Sequence, residues 1–269
     1  MSDNYLKPVD DGLSTRPSQE YARYKLRALE LYLATTNTSM RDKWKNRCYI
    51  DLQAGPGKIK IDQSVGFGSP LLALTAPYPT NHVFLNEWGE EEFAALKTRT
   101  DGIEGVRLFS NDVNLVVDEV IQQVRAIAPR SLNIAFLDPE GLELKWDTVA
   151  KLAQVPNTDL IINFSTSGVR RSFGRGYHDA IDAFYGNRNW RTLFQETTPS
   201  SRSLIDFYLK GLEAMGYLTE IDPDLPPSEI VARNSKNAEV YSIIFASKHE
   251  LGRKFWAQAE KYTNQPRLF

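Results

Sequence analysis

The chain is almost without cysteine. Cys48 stands alone among 269 residues, which excludes an internal disulfide and any cluster of cysteine-bound metal. Histidine is nearly as scarce, and three scattered residues do not make a metal centre by themselves, so no metal ligand is expected. Long hydrophobic runs are also missing: the longest, residues 160–164 and 241–246, are far too short to span a bilayer. The opening MSDNYLKPVDDGLS has no basic stretch followed by an apolar one, so it does not read as a secretion signal. A reducing, cytoplasmic setting without membrane attachment is the expectation. Finally, no charge of one sign predominates. The net charge of −2 exerts no global pull on nucleic acid and leaves any such role to a local patch.

What is present describes an ordinary folded protein. With 42% hydrophobic and 25% charged residues the chain is neither disordered nor membranous, and 269 residues suit one α/β domain. Residues 1–17 read as a flexible polar lead-in and 18–269 as a single domain; no internal repeat is found, and the oligomeric state is not legible. Between Ser18 and Trp44, Tyr21, Tyr24, Leu26, Leu29, Tyr32 and Leu33 recur at helical spacing. Five β-rich runs follow: CYIDL, HVFLNE, VRLFSND, LNIAFLDPEG and DLIINFS, separated by helical patterns. Such alternation predicts a doubly wound, mostly parallel sheet with helices on both faces. KIKIDQSVGF reads as a small inserted hairpin, and Gly68-Ser69-Pro70 opens a helix with Ser69 placed to cap it. Beyond Ser165 the pattern loosens into a basic loop. The tail, with YLTEI, the proline-rich DPDLPPS and EVYSIIFASK, looks like a terminal hairpin that brings the sheet to seven strands with an antiparallel C-terminal strand.

In an open α/β sheet a ligand sits beyond the carboxyl ends of the strands, and four such ends carry informative residues. The first strand runs into Asp51-Leu52-Gln53-Ala54-Gly55-Pro56-Gly57, where Ala54, Gly55 and Gly57 let the backbone approach a ligand closely and Asp51 adds an acid. The second ends at Glu87, suited to accept hydrogen bonds from both hydroxyls of a ribose. Its separation from the glycine turn exceeds the usual ~20 residues, and the KIKIDQSVGF insertion explains the excess. The third ends at Asn111-Asp112, a pair able to contact an adenine. The fourth ends at Asp138-Pro139-Glu140-Gly141, whose carboxylates would face the reacting end of a cofactor. Each acid taken singly is as readily a helix or turn cap; their joint order favours a cofactor site. A dinucleotide dehydrogenase would want G-x-G-x-x-G opening a helix directly, which AGPGKIK does not do.

The blocks YIDLQAGPG, GSPLLAL, VFLNE, FLDPEGLELKW, DLIINFSTSGVRR and FASKHELGRKFW occur in order over most of the chain from Tyr21 onward. Together they resemble the three-Cys-motif partner family, a group similar to class I S-adenosylmethionine-dependent methyltransferases. The resemblance implies a Rossmann-like methyltransferase fold with an N-terminal helical extension. It implies S-adenosylmethionine held by the 51–57 turn and Glu87, its adenine by Asp112, and Asp138 at the edge of the transfer site. It also implies a radical-enzyme-like partner bearing a three-cysteine motif; with Cys48 alone, this chain is the partner of such a protein.

Asp138-Pro139-Glu140-Gly141 is moreover similar to the Asp-Pro-Pro-Tyr turn of amino-methylating enzymes, except that Gly141 replaces the aromatic that stacks on a flipped base. Trp146, Phe164 or Phe173 would have to substitute, although large aromatics more often pack in cores. Asp138 is the better candidate to orient or deprotonate an acceptor, with Glu140 second, since an acid in such a turn is often only solvated. After the fifth strand, Arg170, Arg171, Arg175 and Tyr177 suit phosphate contact and base stacking; the plainer reading is a solvated basic loop. His178 is either a base near neutrality or an exposed loop residue. The leading expectation is a methyltransferase acting on a nucleic-acid or nucleotide-like acceptor. A noncatalytic adaptor of the same fold comes second, and a magnesium enzyme using Asp51, Glu87 and Asp138 third.

Overall fold

The computed structural model describes residues 4–127, 129–195, 197–218, 229–233 and 239–263. A two-residue strand β1 (Arg16–Pro17) leads into the long helix α1 (Ala22–Met40) and then β2 (Asn46–Asp51). The inserted hairpin is β3 (Lys58–Ile61) and β4 (Ser64–Phe67), antiparallel as expected, and β1 pairs with its first strand. Then α2 (Ser69–Thr75), β5 (His82–Asn86), α3 (Glu90–Thr100), β6 (Val106–Phe109), α4 (Val113–Arg125), β7 (Ser131–Leu137), α5 (Trp146–Ala153) and β8 (Thr158–Phe164) alternate regularly. After them come α6 (Thr166–Gly174), α7 (His178–Tyr185), a 3-10 turn at Asn189–Phe194, α8 (Ser201–Ala214), β9 (Glu229–Arg233), β10 (Glu239–Ala246) and α9 (Glu250–Thr263).

The main sheet has seven strands in the order β6-β5-β2-β7-β8-β10-β9. Neighbours from β6 through β8 are parallel; β10 runs antiparallel to both β8 and β9. Because a parallel sheet is covered on both faces, its strands must be apolar on both. In β2, Cys48 and Ile50 face one core and Tyr49 the other; in β7, Ala135 and Leu137 oppose Ile134 and Phe136. One core contains α1, α2 and α9, with Trp256 stacked on Phe245 at 4.9 Å between ring centroids. The opposite core contains α4, α5, α7 and α8 around Phe164, Phe184 and Tyr208. From β2 the chain winds outward through β5 and β6, then crosses back to β7 on the other side. The loops after β2 and β7 therefore flank the switch point, where an open sheet leaves its crevice.

Three expectations are corrected. Residues 4–17 are not a free lead-in: the Asp11 side chain is fully buried against Lys58 and Arg99, and β1 adds an edge to the inserted hairpin. Buried cations need a counter-ion, and the segment supplies it. Ser69 is not the cap of α2; Gly68 occupies that position, and the Ser69 hydroxyl turns to Asp51 instead. The basic stretch after β8 is the helix α6, capped by Ser165, whose Oγ accepts the Gly168 N–H at 3.1 Å. The terminal hairpin is formed by β9 and β10. Of YLTEI, Leu218 bridges Ser247, and residues 219–221 lie outside the described residues.

Candidate active site

Asp51 ends β2 and is fully buried. Tyr49 donates its hydroxyl to the carboxylate at 3.1 Å and the Gln53 N–H reaches it at 3.3 Å. Burial pushes the Asp51 carboxyl up to about 7, and the charge of Asp138 adds to the rise against the lowering bonds from Ser69, Gln53 and Tyr49. Raised in the folded state, this group is protonated in the fold and ionised in the unfolded chain between the ordinary carboxylate range and about 7. Its contribution to stability is therefore complete at acid pH and falls as pH rises through that window. Asp51→Asn is expected to gain stability relative to wild type on going from about pH 5 to about pH 8. Urea unfolding midpoints of both proteins at the two pH values check this, and a difference independent of pH would sink it.

The turn that follows needs its glycines. Gly55 and Gly57 have φ of +64° and +93°, the left-handed region that side chains rarely adopt. A Cβ on Gly57 would meet Leu71 and Arg99 at ordinary contact distances of 3.4 and 3.5 Å, so the requirement for glycine there comes from the backbone conformation. Glu87, just past β5, grips this turn: one carboxylate oxygen accepts the Gly55 N–H at 2.7 Å and the other the Gly89 N–H at 2.8 Å. Arg99 holds it from behind, donating to the Pro56 carbonyl at 2.6 Å. Ala54 is buried and fixed to β5 through the Asn86 carbonyl at 2.9 Å.

At the end of β7, Asp138 forms an ion pair with Lys25 of α1 and accepts from the Asn163 side-chain amide at 2.7 Å. Glu140 is paired with Arg16 and its side chain is 77% exposed, the solvated turn position of the plainer reading. These groups and the glycine turn line one cavity of about 470 Å³, which includes Ala54, Gly55, Gly57, Asp138, Glu140 and Arg171. Asn163 Oδ1 is buried on its wall with no hydrogen-bond partner among the described residues. A buried acceptor without a donor costs free energy unless a ligand or water supplies one.

The remaining candidates lie elsewhere. Asn111 and Asp112 follow β6, outside the cavity lining, and Asp112 caps α4 by accepting the Asn114 N–H at 2.8 Å. Arg170 turns to α8, donating to the Pro199 carbonyl and the Ser201 hydroxyl. Arg175 and Tyr177 are exposed at the far end of α6 and do not line the cavity. His178 starts α7, exposed, with its ring stacked on Phe173 at 5.5 Å. Among the described residues, no group of three or more acidic, histidine or cysteine side chains is placed to hold a metal ion, so Asp51, Glu87 and Asp138 do not form a magnesium site. Lys25, Arg16 and Asn163 escaped the reading of the sequence. Asn163 alone carried a signal there, as an amide inside the otherwise apolar run LIINF.

No family model matches the chain, and no curated relative is found by sequence. Solved structures do resemble it. Protein LPL1258 from Legionella pneumophila superposes with a TM-score of 0.51 at 10% identity, over 88% of this chain and 90% of that one. The N-methyltransferase NodS from Bradyrhizobium japonicum gives 0.44 at 9% identity, over 90% and 100%. Human methyltransferase-like protein 13, in complex with S-adenosylhomocysteine, gives 0.43 at 15%, over 91% and 94%. The chain has a doubly wound, Rossmann-like α/β fold. Its seven-stranded sheet, with β10 antiparallel beside β8, is the architecture expected above. No helix among the described residues is long and apolar enough to cross a membrane.

Proposed function

We propose that this protein is an S-adenosylmethionine-dependent methyltransferase whose acceptor atom is an amino nitrogen of a nucleic-acid or nucleotide-like substrate. The observation that carries the reading is the pairing, in one cavity at the switch point, of the Glu87-gripped glycine turn with Asp138 and the orphaned Asn163 Oδ1. The residues present fit the cofactor. Gly55 and Gly57 leave open backbone on the cavity lining; Glu87, which is outside that lining and already accepts two N–H groups, keeps lone pairs for a ribose; and Gln53 Oε1 is a second buried acceptor without a partner among the described residues. When bound, S-adenosylmethionine supplies an electrophilic methyl group.

The protein's own contribution is to orient the acceptor. Asp138 and Asn163 Oδ1 are both hydrogen-bond acceptors, and together they can take the two N–H bonds of an amino group and aim its lone pair. Lys25 is the counter-ion of Asp138, and the Asp138 carboxylate holds an N–H and takes its proton as the acceptor nitrogen gains a substituent. A three-cysteine-motif partner protein and a cytoplasmic setting belong to the same reading, supported by the family resemblance and the lone Cys48.

Isothermal titration with S-adenosylmethionine and S-adenosylhomocysteine tests the cofactor, and Asp138→Asn separates binding from chemistry. Saturable binding that survives Asp138→Asn, while transfer of labelled methyl falls about a hundredfold or more, is the expected result. No binding by folded wild type would leave the noncatalytic adaptor in its place.

A further inference from the structure

The Asp138-Pro139-Glu140-Gly141 turn has no aromatic at its fourth position, and the rings named as its substitutes are engaged elsewhere. Phe164 is completely buried, and Trp146 packs edge-on to Tyr208 at 4.9 Å. Phe173 stacks on Phe194 at 4.0 Å, and neither it nor the other two lines the cavity. The cavity has a different aromatic wall, made of Tyr21 just before α1 and Tyr241 of β10. Tyr241 is buried, and its hydroxyl donates to the Tyr21 carbonyl at 2.8 Å. The two rings meet edge to face, with centroids 5.6 Å apart and planes at 71°. Lys25 Nζ, the partner of Asp138, lies 5.3 Å from the Tyr241 centroid. Tyr241 thus braces Tyr21, which is only half-buried and keeps accessible surface at the cavity.

The charges lining the cavity are nearly balanced. Arg16 is matched by Glu140, Lys25 by Asp138, and Lys58 by the buried Asp11. Arg171, exposed on the last turn of α6, forms no ion pair among the described residues and is the cation left over.

We propose that Tyr21 is the stacking platform of the acceptor site, and that the acceptor is an amino-bearing nucleobase carried on a phosphate, with its ring against Tyr21, its amino group at Asp138 and Asn163, and its phosphate at Arg171. The inference rests on the methyltransferase reading of the same cavity. Stacking on one ring tolerates any base, whereas the two acceptors at Asp138 and Asn163 select bases that carry an exocyclic amino group. The base comes either as a free nucleotide or within a single strand, and both present the same chemistry to these residues.

The test is equilibrium binding to protein saturated with S-adenosylhomocysteine, using AMP, CMP, GMP and UMP as probes, with a short single-stranded oligonucleotide of the preferred base as a further arm. At least one of the three amino-bearing nucleotides is expected to bind about tenfold more tightly than UMP. Tyr21→Ala is expected to weaken that binding about tenfold, Tyr21→Phe to restore it to within about twofold, and Arg171→Gln to weaken the nucleotide but not its nucleoside. S-adenosylhomocysteine binding should be unchanged in all three variants, which shows that they are folded. An oligonucleotide that binds better than the mononucleotide, with a steep salt dependence, assigns the strand as the source; equal binding assigns the free nucleotide. The inference is overturned if no amino-bearing probe exceeds UMP, or if Tyr21→Ala binds like wild type while S-adenosylhomocysteine still binds. If wild type does not bind S-adenosylhomocysteine, the underlying methyltransferase reading falls and this inference falls with it.

Discussion

Asp11→Ala is expected to lower the unfolding free energy by about 3–5 kcal/mol, the usual result of removing one partner from a buried ion pair. The Asp11 carboxylate lies 2.7 Å from Lys58 Nζ and 2.6 Å from an Arg99 nitrogen, and all three side chains have no solvent exposure. Burial alone would raise the Asp11 carboxyl, but the hydrogen bonds from Arg99 and Lys58 outweigh it and hold the group well below the usual carboxylate range. Its stabilising effect is therefore present at neutral pH and is lost only as pH falls below that range. Without the carboxylate, two cations remain buried with only backbone carbonyls as partners: Asn4 and Val9 for Lys58, and Leu13, Ser14 and Pro56 for Arg99. Denaturant unfolding followed by tryptophan fluorescence measures the loss. The neighbouring Asp10→Ala, which removes one exposed bond to the Gly12 N–H, should cost no more than about 0.5 kcal/mol. Equal effects for the two variants would show that residues 4–17 are not fastened as described.

Glu87→Ala is expected to weaken S-adenosylhomocysteine binding between tenfold and a hundredfold, which corresponds to losing charge-assisted hydrogen bonds worth roughly 1.5–3 kcal/mol. Two effects add. The carboxylate that would receive ribose hydroxyls is gone, and the Gly55 and Gly89 N–H groups lose the acceptor that fixes the glycine turn. Glu87→Gln should fall between wild type and alanine, because one amide oxygen can still accept. Isothermal titration of both variants provides the numbers, with Glu91→Ala on the exposed first turn of α3 as the control. Alanine at position 87 with unchanged affinity would remove Glu87 from the cofactor site.

These two residues differ in how readable they were. Glu87 closes an apolar run and faces a glycine turn that local sequence marks clearly, because strand and turn are decided within a few residues. Asp11 looked like one acid in a polar lead-in, and only packing against Lys58 and Arg99, 47 and 88 positions along the chain, gives it a task. The same distance hid the partners of the turn after β7. Lys25 meets Asp138 across 113 residues and Arg16 meets Glu140 across 124, contacts that exist only because α1 packs on the sheet with its N-terminus at the carboxyl edge. The helix α6 was hidden for another reason: its glycines and charges weaken the apolar spacing, and the Ser165 cap and packing against α7 and β10 supply the order.

By itself, the sequence determined the element types from β2 through β8, the two-faced burial of the parallel strands, and the glycine turn with its acids, since each depends on side-chain period, backbone freedom or residue type over short spans. Tertiary structure decided which of those acids share a cavity, which cations neutralise them, and that Tyr21 and Asn163 complete the wall. Those outcomes depend on strand order and helix docking, which bring together residues that are remote along the chain.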